Sequence, residues 1–288
     1  MCVTFLYLDD KNLKSKYKLI VLSNRDEFLD RPTKPAEFKD GILSGRDLKD
    51  PLNGTWIGVS KENNEFRLGI LLAITEPHLK QNAEARSRGA IILDYLKTPK
   101  SNEFNEQLEK EAFNYNGFQF LSISQKKDQP FQFNRLTRLT KLFNNKVDTQ
   151  EYEAGVYGFG NSHPSTPYKK VERGIELFKE FVQYNIINNE QVGEEFVLQK
   201  CLEILRDEKK CHPDYQFAKQ YEKSVDEIYH GTSIFQKHPK EFRYGTRTHT
   251  IILLDHNNTC TYYEVNVDNV NEDVDTNEWI TRKNVFQL

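Results

Sequence analysis

The sequence contains little cysteine, and its cysteines are not arranged to bind a metal. Four cysteines are spread over 288 residues. None belongs to a C-x-x-C pair, and no histidine stands at zinc-finger spacing from a cysteine pair. Such a scattered set favours reduced thiols in an intracellular protein over a disulfide framework. The sequence therefore predicts no metal site. The four residues are Cys2, Cys201, Cys211 and Cys260.

Long apolar runs and an excess of one charge are also absent. No run approaches the roughly 20 apolar residues that a membrane span needs, so no transmembrane segment is predicted. The chain has 40 basic and 43 acidic residues, a net charge of −3. This balance argues against a general binder of nucleic acid or anionic membranes. With Asp9 and Asp10 near its start, the chain lacks the layout of a signal or transit peptide. We expect a soluble cytoplasmic protein, and association with the Golgi or mitochondria stays open.

Aromatic residues are plentiful. The chain has 19 Phe and 14 Tyr among 37% hydrophobic residues, which is enough bulk for a substantial core. Neither an internal repeat nor a low-complexity linker interrupts the sequence. We therefore expect a single domain over residues 1–288.

The order of predicted elements favours an α+β fold. Strands come first, helices lie in the middle and strands return at the end, which is typical of mostly antiparallel sheets with helices outside. Residues 31–50 are predicted to be a loop because prolines and glycines punctuate them, and the acidic residues 268–277 are predicted to be a solvated loop. Predicted strands cover residues 2–8, 17–23, 55–60, 65–75, 118–123, 131–139, 155–161, 248–254, 259–265 and 278–286, and predicted helices cover residues 82–97, 103–113, 168–187 and 194–208.

The first two predicted strands form a hairpin that brings Cys2 close to charged residues. Both strands are β-branched and aromatic, and a short polar segment joins them. If the turn is centred near residue 13, Cys2 lies opposite Asn24, with Arg25 and Asp26 just beyond. A thiol is thereby expected beside an arginine and an aspartate.

This grouping would suit an N-terminal nucleophile. Trimming of Met1 is favoured by a small second residue, and it would leave a thiol and a free α-amine on Cys2. The amine titrates near 7.7–8.0 and the thiol at about 8.5, so the amine could act as the base for the thiol. Arg25 would favour the thiolate, and Asp26 could hold the amine. The alternative is that Cys2 is an ordinary small apolar residue of a strand.

Several motifs resemble one family from residue 2 to about residue 265. The sequence is similar to the NRDE family, also called the transport and Golgi organisation protein 2 family. This resemblance implies an Ntn-hydrolase-like four-layer αββα sandwich, related to penicillin V acylase and conjugated bile acid hydrolase. The motifs are Met1-Cys2, Asn24–Phe28, Arg31-Pro32, Ile42–Asp47, Gly54–Gly58 and Tyr244–Leu253.

The resemblance implies a catalytic role for Cys2, Arg25 and Asp26. The related enzymes place two residues between the arginine and the aspartate, whereas Arg25 and Asp26 are adjacent and would point to opposite faces of a strand. Two arrangements stay open. Either a bulge makes both side chains converge, or Asn24 and Asp26 face Cys2 together while Arg25 points away.

Other site residues follow from the same resemblance. Asn161 is expected to help bind the oxyanion, with a plain turn asparagine as the alternative. Arg247 resembles a second active-site arginine, with a structural partner of Asp26 or Glu27 as the alternative. Glu27 belongs to the family motif and could neutralise either arginine.

Two further positions bear on activity and binding. In the related enzymes an asparagine often stands at the end of the buried strand that follows the strand with the tryptophan. This chain has Glu76 at that position. A carboxylate there would repel an oxyanion and speaks against amidase activity. Trp56 could line an apolar pocket, although core packing would explain it equally.

The resemblance associates the chain with intracellular haem or lipid homeostasis and trafficking. The expected partner is a small apolar or amphipathic ligand, either haem as bound cargo or an acyl lipid, and no cofactor is required. One alternative is an N-terminal cysteine amidohydrolase acting on linear C–N amide bonds. Another is a non-catalytic scaffold for Golgi organisation and secretion. Conceivable haem ligands, of which none stands out, are Cys2, His163, Tyr244 and His249.

Overall fold

The computed structural model describes residues 1–61, 65–127, 129–267 and 278–288. Within these ranges the chain forms thirteen strands in two antiparallel sheets, and five α-helices. The strands are β1 Val3–Leu8, β2 Tyr17–Phe28, β3 Thr33–Lys39, β4 Ile42–Asp47, β5 Ile57–Ser60, β6 Glu65–Ala73, β7 Phe118–Lys126, β8 Gln132–Arg138, β9 Val147–Tyr152, β10 Gly155–Phe159, β11 Tyr244–Asp255, β12 Thr259–Val267 and β13 Trp279–Gln287. The helices are α1 Gly89–Lys97, α2 Ser101–Glu111, α3 Lys169–Asn185, α4 Glu194–Leu205 and α5 Tyr215–Tyr221.

The chain divides into two compact units. The first contains residues 1–30 and 154–287, and the second contains residues 31–153 with Leu288. Each unit by itself has one antiparallel sheet with helices on one face, which confirms the predicted α+β class. The expectation of a single domain stays a prediction. In the described part of the chain, no helix combines the length and the apolar character needed to cross a membrane.

The first unit is built on a six-stranded sheet in the order β10-β1-β2-β11-β12-β13. Helix α3 lies against β1 and β10, and α4 lies against β2 and β11. Alternate residues of β1 enter the core beneath these helices, together with the apolar stripe of α3, of which Val171, Phe178 and Val182 are fully buried. At Gly174 the helix approaches the sheet so closely that a Cβ would lie 2.0 Å from Cζ of Phe5. A glycine is therefore required at this crossing.

The second unit is built on a seven-stranded sheet in which β3 to β9 are adjacent in sequence order. Helices α1 and α2 cover one face, and α1 lies on β4, β5 and β6. Its buried residues Ile91, Ile92, Tyr95 and Leu96 pack with residues of the sheet such as Phe120. These four residues form the apolar side of the helix.

Residues 31–50 were predicted to be a loop, and this prediction is wrong. They contain β3 and β4, which are joined at Asp40-Gly41, where both residues have positive φ (52° and 76°) between the paired residues Lys39 and Ile42. Such a turn matches the twist of a hairpin, and Asp-Gly is a strong signal for it. Pro35 is tolerated because β3 is an edge strand with a register shift between Lys34 and Glu37.

Other boundaries also differ from the predictions. Helix α1 begins at Gly89 and not near residue 82, because Arg86 forms an isolated β-bridge with Tyr115 and its amide donates to the Asn114 carbonyl at 2.8 Å. Strand β9 was not predicted. The predicted hairpin of residues 248–254 and 259–265 is confirmed by β11 and β12, and both strands are longer than expected. The acidic segment 268–277, predicted to be a solvated loop, lies outside the described residues.

Candidate active site

The register of the first hairpin decides which residues face Cys2. Val3, and not Cys2, lies opposite Asn24, so the predicted register was wrong by one residue. The reason is that the turn is centred between residues 13 and 14, as the hydrogen bond of 2.9 Å from the Asp9 amide to the Lys18 carbonyl shows. This shift moves the whole set of facing side chains by one position.

Asn24 and Asp26 lie on the face that the helices cover, together with the buried odd-numbered residues of β1. The hydroxyls of Thr4 and Ser23 meet at 2.9 Å on the opposite face. Strand alternation continues that face to Arg25. Cys2 precedes β1, and the choice between the two arrangements left open by the sequence stays a prediction.

A bulge does occur nearby, but in β11 and not in β2. Thr246 lies opposite Asp26 and Thr248 lies opposite Arg25, so Arg247 is the extra residue. The guanidinium of Arg247 donates to the backbone oxygen of Phe28 at 3.1 Å. Its role as a second active-site arginine stays a prediction.

The carboxylate of Asp26 is the centre of a buried polar cluster. Its Oδ1 accepts a hydrogen bond of 2.6 Å from the hydroxyl of Thr246, and its Oδ2 accepts one of 2.7 Å from Nε2 of Gln236. Two cations lie near Oδ2: the amino group of Met1 at 3.7 Å and Nζ of Lys170 at 3.8 Å. Asp26 is thus a buried anion surrounded by donors, as a buried charge requires.

Met1 itself is part of this cluster. Its amino group donates to the hydroxyl of Tyr244 and lies 3.4 Å from the backbone oxygen of Asp26. Its carbonyl oxygen accepts hydrogen bonds from Nε2 of Gln236 at 3.0 Å and from Nζ of Lys170 at 3.3 Å. Burial lowers the pKa of the Met1 amine, and Asp26 partly opposes this.

Cys2 lies beside the cluster. Its Sγ is 4.0 Å from the backbone oxygen of Asp26. Burial raises the pKa of the Cys2 thiol, while the Met1 ammonium and, more weakly, Arg25 lower it. With Met1 in place the nitrogen of Cys2 belongs to a peptide bond, so the thiol lacks an amine base of its own.

Lys170 is a member of this cluster that sequence reasoning missed. It belongs to α3, its side chain is completely buried, and burial lowers its pKa while Asp26 opposes the shift. A signal was available, because Lys170, Gly174 and Phe178 are spaced four residues apart on the core-facing stripe. A lysine on such a stripe needs an anionic or carbonyl partner in the core.

Asn161 lies two residues beyond the end of β10. Strands β1 and β10 pair with Thr4 opposite Phe159, and two further residues along this register place Asn161 opposite Cys2. Its backbone oxygen accepts a hydrogen bond of 3.2 Å from Nε2 of Gln220. The backbone of Asn161 is therefore anchored by α5, while its oxyanion role stays a prediction.

Comparison with known proteins agrees with the resemblance seen in the sequence. The family described as Transport and Golgi organisation 2 matches residues 1–269. The chain belongs to this family. It is 31% identical to Transport and Golgi organization protein 2 of Drosophila melanogaster over 92% of the chain and 91% of that protein. It is 30% identical to the Mus musculus homolog over 100% of the chain and 99% of that protein. Among solved structures it is similar to Anbu from Hyphomicrobium sp. strain MC1, with a TM-score of 0.35 and 7% identity, over 88% of this chain and 82% of that one.

In this member of the Transport and Golgi organisation 2 family, the side chain of Asn24 makes hydrogen bonds that join elements of the fold. Its Nδ2 donates to the backbone oxygens of Leu205 at 2.8 Å and Ile234 at 3.1 Å. Its Oδ1 is 2.6 Å from Nδ1 of His249, so Nδ1 carries the hydrogen. Asn24 thereby ties β2 to the end of α4 and to β11.

Three of the four conceivable haem ligands have contacts within the protein. Nε2 of His249 faces Nε of Arg206 at 3.4 Å, its ring stacks on Trp279 at 4.7 Å, and burial lowers its pKa to about 3. The hydroxyl of Tyr244 binds Met1 and Asp26. Nδ1 of His163 is 2.6 Å from the hydroxyl of Ser165. Haem as cargo stays a prediction.

The remaining predicted residues are Glu27, Trp56 and Glu76. Oε1 of Glu27 accepts a hydrogen bond of 2.8 Å from the Phe28 amide at the end of β2. Trp56 and Glu76 belong to the second unit. Burial raises the pKa of Glu76, and Arg138 and then Arg88 oppose this shift. The predicted roles of Glu27, Trp56 and Glu76 stay predictions.

Proposed function

We propose that removal of Met1 converts this site into an N-terminal cysteine amidohydrolase centre that acts on linear amide bonds. The observation that carries the proposal is the Met1 carbonyl oxygen, on which two N–H donors converge beside the thiol of Cys2. Gln236 and Lys170 donate to it at 3.0 and 3.3 Å. Two fixed donors at this distance are what an oxyanion formed from an amide carbonyl needs.

Removal of Met1 would supply the missing base. The new α-amine of Cys2 could take the proton from the thiol. The thiolate would attack the amide carbon, and the oxyanion would be held by Lys170, Gln236 and the predicted donor Asn161. The leaving amine takes a proton from the α-ammonium group, and water then hydrolyses the thioester to regenerate Cys2.

The test compares the full chain with and without Met1, verified by intact mass. We expect turnover of linear amides only in the form with a free Cys2 amine. Cys2→Ala should abolish turnover, and Cys201→Ala, which changes a buried free thiol on α4, should leave it intact. A trimmed protein that neither hydrolyses an amide panel nor forms a thioester would overturn the proposal.

A second candidate is binding of a small amphipathic ligand, haem or an acyl lipid, in intracellular homeostasis and trafficking. It is favoured by a surface groove of about 510 Å³ between β10 and the end of α3, a volume in the range of small-molecule sites. Val156, Tyr184 and Ile187 supply apolar lining, and Lys179 supplies a cation for a carboxylate.

Titration with haem and with a fatty acid tests this second candidate. Saturable binding should weaken in Tyr184→Ala, whose side chain is 78% exposed and whose loss should leave the fold intact. Cys2→Ala should bind as the unchanged protein does. Absence of saturable binding of both probes would remove this candidate.

A further inference from the structure

Met1 is held in the way that a protein holds a bound ligand. Three separate sets of residues contact its amino group, its carbonyl oxygen and its side chain. The side chain is only 8% exposed and belongs to the core cluster of the first unit. Because each of the three groups has its own contacts, the site selects a chemical class of ligand.

The amino group is recognised as a cation. It donates to the hydroxyl of Tyr244 and lies 3.4 Å from the backbone oxygen and 3.7 Å from Oδ2 of Asp26. Asp26 is itself 4% exposed. A ligand without an ammonium group would leave this buried carboxylate one cation short, which is costly.

The carbonyl oxygen is recognised by donors alone. Nε2 of Gln236 uses its two hydrogens on the Met1 oxygen and on Oδ2 of Asp26. Nζ of Lys170 provides the second donor to the Met1 oxygen. Without a carbonyl at this place, two buried donors would each lose an acceptor.

The side chain ends in an apolar pocket whose depth is set by Gly231. A Cβ on Gly231 would lie 2.8 Å from Cε of Met1 and 2.8 Å from Cζ of Phe217. Gly231 does not have a positive φ, so space and not backbone conformation requires the glycine. The pocket therefore fits an unbranched apolar side chain about as long as methionine.

We propose that, after Met1 is removed, this pocket binds the α-aminoacyl part of a substrate: an L-amino acid residue with a free α-ammonium, a carbonyl and a methionine-sized apolar side chain. The assignment of this group as substrate rests on the proposed function. The Met1–Cys2 peptide shows which atoms would contact the three groups, while the carbonyl carbon of a separate substrate would lie in non-bonded contact with the Cys2 nitrogen.

The reaction of such a substrate balances without a further reactant except water. The Cys2 sulfur bonds to the aminoacyl carbon as the C–N bond breaks, and the leaving amine gains the thiol proton by way of the Cys2 amine. Water then adds to the thioester, which releases the free amino acid and restores the thiol. The free acid would place a carboxylate near Asp26, and this repulsion would favour release.

Binding is tested on the trimmed Cys2→Ala chain, which cannot turn over, by calorimetry with L-methioninamide. We expect saturable binding that falls at least tenfold for N-acetyl-L-methioninamide, which has no ammonium, and for D-methioninamide. No binding of L-methioninamide, or equal binding of its acetylated form, overturns the inference.

A variant tests the pocket depth. Gly231→Ala should weaken binding of L-methioninamide at least tenfold while L-alaninamide binds as before. The matched control is Gly193→Ala, because nothing lies within 4 Å of a Cβ at Gly193. Equal loss for both amides in a Gly231→Ala protein of unchanged thermal unfolding would overturn the side-chain assignment.

The same experiments distinguish failure of the proposed hydrolase function from failure of the proposed substrate class. If the trimmed Cys2→Ala chain binds L-methioninamide but the trimmed chain with Cys2 hydrolyses no amide, the pocket stands and the hydrolase does not. If the trimmed chain hydrolyses other amides without binding aminoacyl amides, the hydrolase stands and the substrate class is wrong.

Discussion

Nζ of Lys170 lies 3.8 Å from Oδ2 of Asp26, and the two side chains are 1% and 0% exposed. The two residues are 144 positions apart in the sequence, one on α3 and the other on β2, so the pair joins the helix to the sheet. Because Met1 adds a second cation at 3.7 Å, the carboxylate has two cationic partners. The stability of the first unit and the polarity of the candidate site therefore depend on the same atoms.

Removal of either partner should destabilise the protein strongly. We expect Lys170→Met and Asp26→Asn each to lower the free energy of unfolding by roughly 3 kcal/mol, because a buried charge loses its partner. The double variant should cost less than the sum of the two. Urea unfolding measures all three, with Lys34→Ala as the control, since the exposed Lys34–Glu37 pair contributes at most about 1 kcal/mol. Additive losses in the double variant would show that the pair is not coupled.

The crossing of α3 over β1 should not tolerate a methyl group. Gly174→Ala would place a Cβ 2.0 Å from the Phe5 ring, and overpacking of this kind costs about 1–3 kcal/mol. This exceeds the gain of about 1 kcal/mol in helix propensity. In contrast, Gly193→Ala at the start of α4 meets open space at φ −69° and should change unfolding by less than about 0.5 kcal/mol. Similar midpoints for the two variants in urea would contradict the packing described.

His249 should make stability depend on pH in the acid range. Burial lowers its pKa to about 3 in the folded protein, compared with about 6.5 in an unfolded chain. As pH falls from 6.5 towards 3, only the unfolded state takes up this proton, so stability is lost over that window. The loss approaches about 1.4 kcal/mol per pH unit.

A comparison with His249→Gln measures this contribution. Unfolding free energies of both proteins between pH 4 and pH 6 should show a slope that is smaller in the variant by about 1.4 kcal/mol per pH unit. Equal slopes would mean that His249 is protonated in the folded protein.

Cys2 should react slowly while Met1 is present. Burial raises the pKa of its thiol, and the thiolate is the reactive form. We expect iodoacetamide at pH 7 to label Cys2 at least tenfold faster after Met1 is removed. Peptide mass spectrometry gives the rate, with the fully buried Cys260 as an internal slow reference. An unchanged rate would mean that Met1 does not control access to the thiol.

The local parts of the fold could be predicted, and the long-range parts of the site could not. The stripe of α3 and the first hairpin follow from apolar periodicity over neighbouring residues. The one-residue register error arose because residues 9–16 contain no two-residue turn signal that fixes the pairing. The hairpin at Asp40-Gly41 carried such a signal, and prolines nearby obscured it.

The partners of Asp26 come from segments without a readable pattern. Gln236 follows an irregular stretch, and its backbone makes hydrogen bonds of 2.9 and 3.0 Å with Thr246. Neither a glycine nor a proline is adjacent to Arg247, so the sequence gives no signal for the bulge at this residue. The burial of Lys170 was predictable in principle, because this residue interrupts an apolar stripe. Its partner Asp26 was not predictable.

The division of the first unit into residues 1–30 and 154–287 has a consequence for synthesis in the cell. Ribosomes add about 5–20 residues per second, so Met1 emerges on the order of ten seconds before Lys170 and Gln236 exist. During that interval the first residue is open to an aminopeptidase, and after folding it is enclosed. Processing and folding therefore compete in time, and the share of chains with a free Cys2 should rise when translation is slowed and fall when it is fast.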